Sequence, residues 1–337
     1  MKPRRLIPIA FLFLLIALPL VLAQQDDPAT PSNYRLSGPY THKNLTVFLI
    51  HGKDQSKKTF LTLQEALAQK KVRVYETKEV NELAIQNVSN EDIYVQAGDI
   101  VRGGDQDRMI SVDFIVPPRS GRMPIAAFCV ESGRWNKRGN EGNASFASSE
   151  NVATNDIKLA AASRKSQEAV WANVSKVQAD LSKNVGGSVN STVSASSMEL
   201  SMEDSKVKAT SADYINALSG LLKNKSDVIG YVLAINGKVD SADVYASQAL
   251  FAKLWPKLLK SSVVEAIAEL NDAEHKAVTS DTVQGFLAES EKATASAKEV
   301  TPRVRMVTRE DDKNFFSETQ DRDQKDGWVH RNYMRKQ

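Results

Sequence analysis

The chain of 337 residues carries 44 Lys and Arg against 41 Asp and Glu, and it has a single cysteine. Its formal excess of +3 equals the three basic residues at the start, Lys2, Arg4 and Arg5, so the rest of the chain is close to neutral. Interspersed, balanced charges are not expected to bind nucleic acid, which requires clustered Lys and Arg. Because Cys129 is alone, no internal disulfide can form, and the hydrophobic core must hold the fold.

The N-terminus has the parts of a secretory signal peptide in the required order: basic residues, an apolar run over 6–22, and the small residue Ala23. We therefore expect residues 1–23 to be removed and the mature protein to be secreted or periplasmic, with no stable membrane insertion. An uncleaved anchor is the alternative, because the apolar run approaches the roughly 20 residues of a spanning helix. Pro19 disfavours that alternative. Residues 24–33 are polar and predict a flexible leader.

The region 34–150 is predicted to be mainly β. Short apolar runs with turn residues between them indicate strands at 45–50, 72–75, 93–96, 109–116 and 124–130, with one helix over 60–69. A Pro-Pro-Arg-Ser-Gly turn over 117–121 allows two of these runs to pair as a hairpin. The segment 136–151 is rich in Gly, Asn and Ser and predicts a loop.

The region 151–310 is predicted to be mainly helical. Apolar spacing indicates helices around 170–181, 214–222, 243–270 and 281–297, with Pro256 expected to kink or break the third. Asn236-Gly237 between two apolar runs is a strong hairpin signal, and 303–308 resembles a late strand. Residues 311–337 have mixed charge and predict a polar tail. The predicted fold class is therefore α+β: a mainly antiparallel β N-terminal unit followed by a helical region with a small β-hairpin.

Most familiar catalytic patterns are missing from the sequence. It contains no G-x-S-x-G elbow, no Walker A pattern and no G-x-G-x-x-G. The histidines, His42, His51, His275 and His330, have no metal-ligand spacing. We therefore predict no metal and no cofactor.

Cys129 stands five positions before Arg134, which is the C-x4-R spacing of rhodanese-type loops. Such a loop must open into a helix whose N-terminus lowers the pKa of the thiol, whereas residues 136–140 read Asn-Lys-Arg-Gly-Asn and indicate a loop. The sequence thus favours a buried, inert strand cysteine over a catalytic thiol.

The densest group of motifs lies between Ile93 and Trp135. It comprises Tyr-Val-Gln-Ala-Gly-Asp at 94–99, Gly-Gly-Asp-Gln-Asp-Arg at 103–108 and Cys-Val-Glu-Ser-Gly-Arg-Trp at 129–135. Together with Ser-Gln-Glu-Ala-Val-Trp at 166–171 and Leu-Phe-Ala-Lys-Leu-Trp at 250–255, this succession resembles the ARG and rhodanese-phosphatase-superfamily-associated protein domain, from about Tyr34 onward.

This resemblance implies little about activity, although the association with ADP-ribosylglycohydrolases suggests nucleotide-derived ligands. The family pattern corresponds to Gly103, Gln106 and Arg108 and to the run from Cys129 to Trp135. Asp107 stands where the pattern predicts asparagine.

Two functional hypotheses from different classes remain open, beside a purely structural exported domain, so the sequence does not decide whether the protein is an enzyme. The first is a binding module for a small anionic ligand, in which Arg108 and Arg134 pair with the anion and Trp135 stacks on it. Its candidate site consists of Gly103, Asp105, Gln106, Arg108, Glu131, Arg134 and Trp135. The structural alternative is a network in which Arg134 bridges Glu131 or Asp105.

The second hypothesis is a hydrolase that uses Glu131 with Asp105 or Asp99 as acid and base. Under either hypothesis we expect Gln106, Arg108, Glu131, Arg134 and Trp135 to converge on one concavity.

Overall fold

The computed structural model of the protein describes residues 34–134, 146–271, 273–324 and 327–336. The proposed signal peptide and leader lie outside these residues, as does Trp135. The described part contains seventeen β-strands and seven α-helices.

The strands are separated by helices at three places along the chain. They are β1 (Arg35–His42), β2 (Leu45–His51), β3 (Leu61–Thr62), β4 (Val72–Glu76), β5 (Glu82–Asn87), β6 (Ile93–Val95), β7 (Asp99–Arg102), β8 (Arg108–Ile110), β9 (Phe114–Val116), β10 (Met123–Cys129), β11 (Ala147–Val152), β12 (Val228–Ile235), β13 (Lys238–Tyr245), β14 (Ala295–Glu299), β15 (Val304–Glu310), β16 (Asn314–Asp321) and β17 (Trp328–Arg335). The helices are α1 (Leu63–Ala68), α2 (Asn155–Ala162), α3 (Gln167–Asn184), α4 (Met198–Met202), α5 (Ser205–Leu218), α6 (Gln248–Ala268) and α7 (Ser280–Ser290).

The largest sheet has eight strands in the order β1-β2-β12-β13-β17-β16-β15-β14, and all its pairs are antiparallel. Its central hairpin, β12–β13, turns at Asn236 and Gly237, both with positive φ, which confirms the predicted hairpin. Nearly every residue of these two strands is buried. One face packs on α6 residues such as Phe251, and the other packs on α7 residues such as Phe286.

The other strands form a six-stranded sheet in the order β11-β7-β8-β10-β5-β4 and a three-stranded sheet in the order β3-β6-β9. The hairpin predicted between 109–116 and 124–130 forms only in part. Met109 pairs with Phe128 and Arg108 with Cys129, whereas β9 pairs with β6 instead of β10. Within the predicted loop 136–151, residues 147–151 belong to strand β11.

The longest helix, α6, begins after Ser247, whose side chain accepts a hydrogen bond from the Leu250 amide. Pro256 lies inside α6 without ending it, and residues 243–245, for which the sequence predicts helix, belong to β13. Across the described segments of the chain, the helices lack the combination of length and apolar character that crossing a bilayer requires.

The α+β prediction, with a helical region after residue 151 and only a small hairpin there, is wrong. The region beyond residue 151 supplies six of the eight strands of the largest sheet, including β16 and β17 in the segment predicted to be a polar tail. Strands β15 and β16 carry many polar and charged side chains, and many of their residues are only partly buried. Such a composition resembles that of a solvated segment when the partner strands are unknown.

Candidate functional site

The structure joins most of the residues that the sequence singles out into one network, at the place where β8 begins and β10 ends. The pairing of Cys129 with Arg108 brings the segments 103–108 and 130–134 side by side. Arg134 lies 2.6 Å from Glu131 Oε2, and its Nη1 donates to the Gly104 carbonyl at 3.0 Å. Arg108 donates to Gln106 Oε1 at 3.0 Å.

Further contacts close this network, which we call the Glu131 network. The Asp107 amide donates to Glu131 Oε2 at 3.1 Å, and the Gln106 side chain donates to the Glu131 carbonyl at 3.1 Å. The Gly103 amide donates to one Asp107 oxygen and the Ser197 hydroxyl to the other, each at 3.0 Å. Asp107, for which the family pattern predicts asparagine, is thus an acceptor on both oxygens.

The Glu131 network is directed into the protein. Gln106, Asp107 and Glu131 are completely buried, and the Arg134 side chain is 10% exposed. Burial would raise the pKa of Glu131, but hydrogen bonds from Arg134 and other groups outweigh it and hold the pKa below its usual range. Glu131 is therefore a fixed anion that stabilises the loop, and these contacts are those expected of the structural alternative.

The other residues of the two hypotheses have different surroundings. Asp105 is exposed, and its amide donates to Glu76 Oε1 at 2.9 Å. Asp99 is buried against the Lys257 ammonium group. Trp135 lies outside the described residues, so the predicted stacking contact stays a prediction. No described geometry places Glu131 and Asp99 in a common cleft as an acid and base pair.

Cys129 is buried in the six-stranded sheet. The Gln167 side chain forms two hydrogen bonds with the Cys129 backbone. Its Oε1 accepts from the Cys129 amide at 2.9 Å, and its Nε2 donates to the Cys129 carbonyl at 2.8 Å. Burial raises the pKa of the thiol. A thiol that is buried and protonated is a poor nucleophile, so these properties match the inert strand cysteine.

A separate pocket of about 260 Å³ opens between the six-stranded and eight-stranded sheets, with α2 at its side. We call it the inter-sheet pocket. Its wall is mostly apolar, and the larger apolar side chains are Met109, Ile110, Phe128, Met306, Phe315 and Met334. Met109 and Phe128 are paired neighbours on β8 and β10, so the pocket begins one residue beyond Arg108.

Three lysines line the inter-sheet pocket: Lys158, Lys165 and Lys298. Lys165 and Lys298 are exposed, and Lys158 is half-buried with its aliphatic stem close to Gly98. Among the residues that the structure describes, none of the three forms an ion pair. The pocket therefore combines an apolar wall with positive charge that is not neutralised by direct pairing.

The floor of the inter-sheet pocket is a buried cluster around Asp113, which we call the Asp113 cluster. Asp113 Oδ1 accepts from the Ala97 amide at 2.6 Å, while Oδ2 accepts from Thr319 at 2.9 Å. His330 lies between Asp113 and Asp243, with nitrogen–oxygen distances of 2.7 Å and 2.9 Å. Burial would raise the pKa of Asp113, but His330 outweighs it and lowers that pKa.

The sequence does not reveal the Asp113 cluster, because the members of the cluster are distant along the chain. His330 is an isolated histidine in the predicted polar tail, and nothing in the spacing connects His330 with Asp113. In β16 the two-residue period of a strand places Phe315, Ser317 and Thr319 on one face, where all three line the pocket, but no apolar alternation marks that face in the sequence.

Comparison with known proteins gives one result for the whole domain. The family model of the ARG and Rhodanese-Phosphatase-superfamily-associated Protein domain matches residues 33–334. The chain matches no curated protein and no solved structure at a significant level.

Proposed function

The chain belongs to the family of ARG and rhodanese-phosphatase-superfamily-associated protein domains, and from this premise we propose that it is an exported binding module for a small molecule with an apolar body and an anionic group. The observation that carries the proposal is the inter-sheet pocket with its three lysines. Small-molecule sites are concave and mainly apolar, with a few polar groups that fix the orientation of the ligand.

The lysines are the groups that select an anion. Lys165 and Lys298 are exposed beside an apolar wall, so a carboxylate or phosphate can pair with them while the rest of the ligand enters the pocket. The exposed ammonium groups stay partly hydrated, which makes each such pair modest, on the order of 1 kcal/mol or less. Burial of the apolar body is therefore the larger contribution to affinity, at roughly 25 cal/mol per Å².

Arg108 and Arg134, which the sequence analysis proposes as the anion contacts, have a different role in this proposal. Both guanidinium groups already donate to groups of the protein, Arg108 to Gln106 and Arg134 to Gly104. We assign them to the support of β8, whose next residues, Met109 and Ile110, form the pocket wall.

Binding is favoured over hydrolysis by the state of the Asp113 cluster. Both oxygens of Asp113 accept hydrogen bonds from the protein, and His330 is held between two carboxylates. Burial would lower the pKa of His330, but Asp113 and Asp243 outweigh it and raise the pKa to about 9. A histidine that stays protonated at neutral pH is not available as a general base.

The test is a thermal-shift and calorimetric screen of the mature protein in buffer containing EDTA. The panel pairs anions with neutral analogues: alkyl and aryl carboxylates with their amides, and nucleoside monophosphates and ADP-ribose with nucleosides. We expect a subset of the anions to raise the melting temperature and their neutral analogues to do so less, because only the anions pair with the lysines.

Two variants locate the binding. Ala162→Trp fills the inter-sheet pocket and is expected to abolish the shift for every ligand. The double change Lys165→Ala with Lys298→Ala is expected to weaken the anions several-fold and to leave the neutral analogues unchanged. Lys223→Ala is the matched control, because Lys223 is an exposed lysine that does not line the pocket. Binding that survives Ala162→Trp would refute the proposed site.

A further inference from the structure

Three carboxylates meet where the end of α6 approaches β13. Oxygen atoms of Asp240, Glu265 and Glu269 all lie within 4.8 Å of one another. Glu265 and Glu269 are four residues apart and therefore share one face of the helix. Asp240 and Glu265 are buried, and Glu269 is half-buried. We call this group the acidic triad.

The acidic triad lies at an unfavourable place for negative charge. Glu265 and Glu269 are at the C-terminal end of α6, where the helix dipole already presents partial negative charge, and the last turn of α6 has no basic residue. Asp240 and Glu265 are buried, so water does little to screen the repulsion among the three carboxylates. Lys158 offsets only part of this repulsion, since its charge acts on both Asp240 and Glu265.

An independent observation on the neighbouring helix also indicates a ligand. Thr154 is the N-cap of α2, yet its side chain makes no capping hydrogen bond, and its buried Oγ1 has no partner in the described chain. Thr154 is 3% exposed and lines, together with Glu265 and Glu269, a space of about 10 Å³. A space of roughly this size holds one water molecule or one ion.

Two more oxygen atoms around the triad lack partners. Asp240 Oδ2 and Asn155 Oδ1 are buried and accept no hydrogen bond from any described residue. The other polar atoms of Asn155 are directed at the triad: its amide donates to Glu265 Oε1 at 2.5 Å, and its side chain donates to Asp240 Oδ1 at 3.2 Å. Buried acceptors without donors are rare in folded proteins and require an explanation.

We propose that Asp240, Glu265 and Glu269, with the Thr154 hydroxyl beside them, bind a divalent cation of the calcium class. Oxygen ligands are those that Ca²⁺ and Mg²⁺ prefer. Ca²⁺ binds oxygen at about 2.3–2.6 Å, so ligands on opposite sides of the ion are up to about 5 Å apart, whereas Mg²⁺ at about 2.0–2.1 Å requires a tighter cage. Oxygen atoms that lie within 4.8 Å of one another meet the looser requirement of Ca²⁺, so all three carboxylates can contact one such ion.

The cation can reach this site from the surface. Asp240 and Glu269 line a wide depression together with Asn236, Lys238 and Asn271. The exposed half of Glu269 connects that depression with the buried pair, so the ion exchanges its water for carboxylate oxygens stepwise. The sequence predicts no metal because its histidines lack metal-ligand spacing, and only the packing of α6 on β13 brings Asp240 to Glu265 and Glu269.

The test uses the full mature protein, stripped with EDTA and titrated with CaCl₂, MgCl₂ and, as an ionic-strength control, NaCl. We expect Ca²⁺ to raise the melting temperature by several degrees and to bind with a stoichiometry near one per chain, with weaker binding of Mg²⁺. Asp240→Asn and Glu269→Gln should each lower the calcium affinity at least tenfold. Asp180→Asn is the matched control, because Asp180 lines the same small space but belongs to an ion pair with Lys176.

A second readout separates a cation site from a triad that merely shares a proton. Without Ca²⁺, Asp240→Asn should be as stable as the wild type or more stable, because it removes one repelling charge. If the wild type shows no heat of binding and the same melting temperature in EDTA and in Ca²⁺, the proposal is wrong. Wild-type affinity in both triad variants would also overturn it. Glu269→Gln, at the half-buried position, remains informative should Asp240→Asn fail to fold. Since the ligand screen is run in EDTA, its outcome is independent of this one.

Discussion

His330 Nδ1 lies 2.7 Å from Asp113 Oδ2, although the two residues are 217 positions apart in the sequence. This contact connects the last strand of the chain with the N-terminal sheets beneath the inter-sheet pocket. Tyr245 stacks on the imidazole with ring centroids 4.4 Å apart and helps to exclude water from the pair. The stability of the fold and the shape of the pocket floor therefore depend on the same buried charges.

The first prediction concerns the pH dependence of stability. Because the folded-state pKa of His330 is raised to about 9, its contribution is fully present below the unfolded value near 6.5 and is lost as the pH rises through 9. The difference between the folded and unfolded pKa values of His330 corresponds to an unfolding free energy on the order of 3 kcal/mol. Urea unfolding of the wild type at several pH values should show this decline between about pH 6.5 and 9.

His330→Gln tests the assignment, because glutamine is neutral throughout this range. At pH 6 the variant should lose a few kcal/mol of unfolding free energy, and its decline above pH 6.5 should be smaller than that of the wild type. His42→Gln is the control, since His42 pairs with Asp213 at the surface. An equal pH slope in wild type and His330→Gln would contradict the prediction.

Turn chemistry explains which parts of the fold could be predicted from the sequence. Asn-Gly is a favoured sequence for the positive φ angles of a two-residue hairpin turn, which Asn236 and Gly237 adopt, and so their hairpin follows from the local sequence. Strand β16 has no such signal: its mostly polar residues, from Asn314 to Asp321, form a strand that β15 and β17 pair with on both sides. Propensity alone does not decide strand formation in a segment this polar.

The same distinction applies to the site. Apart from Ser197, the Glu131 network joins residues at most 31 positions apart on strands that pair locally, and their motifs are recognisable in the sequence. The inter-sheet pocket requires β8, β10, β16 and β17 to lie together, and no single segment carries its pattern. The cysteine and arginine motifs thus identify the Glu131 network, which is structural. The inter-sheet pocket begins at the neighbouring residues Met109 and Phe128.

The second prediction is that Cys129 reacts slowly. Burial raises the pKa of the thiol, so both access and thiolate fraction are low at neutral pH. Iodoacetamide should label the folded protein far more slowly than the unfolded protein in urea, as measured by intact mass. An engineered surface cysteine, Ser188→Cys in a Cys129→Ala background, is the control for reagent quality. Labelling of folded Cys129 at the rate of that control would contradict an inert role.

The third prediction is export with processing after Ala23. When the full chain is expressed with a secretory pathway, intact mass of the periplasmic or secreted protein should correspond to a chain that begins at Gln24. The basic residues, apolar run and small residue at the cut are the physical basis. Ala23→Trp is expected to block processing, because a bulky side chain does not fit the peptidase site. Unprocessed wild-type protein in the membrane fraction would support an anchor instead.

The last prediction separates the structural and ligand-contact roles of Arg134. In the Glu131 network, Arg134→Ala removes the cation next to a completely buried carboxylate, which is expected to cost roughly 3–5 kcal/mol of unfolding free energy. Glu131→Gln should cost less, because glutamine retains an acceptor and carries no charge, and the double variant should restore part of the loss.

Denaturant unfolding with and without a ligand from the screen measures the change in stability and the change in ligand binding in one experiment. A structural role predicts that Arg134→Ala lowers stability while the ligand-induced stabilisation of the remaining folded protein is unchanged. If Arg134→Ala instead leaves stability nearly intact and abolishes the ligand effect, then Arg134 contacts the anion directly, and the binding site extends from the inter-sheet pocket to the Glu131 network.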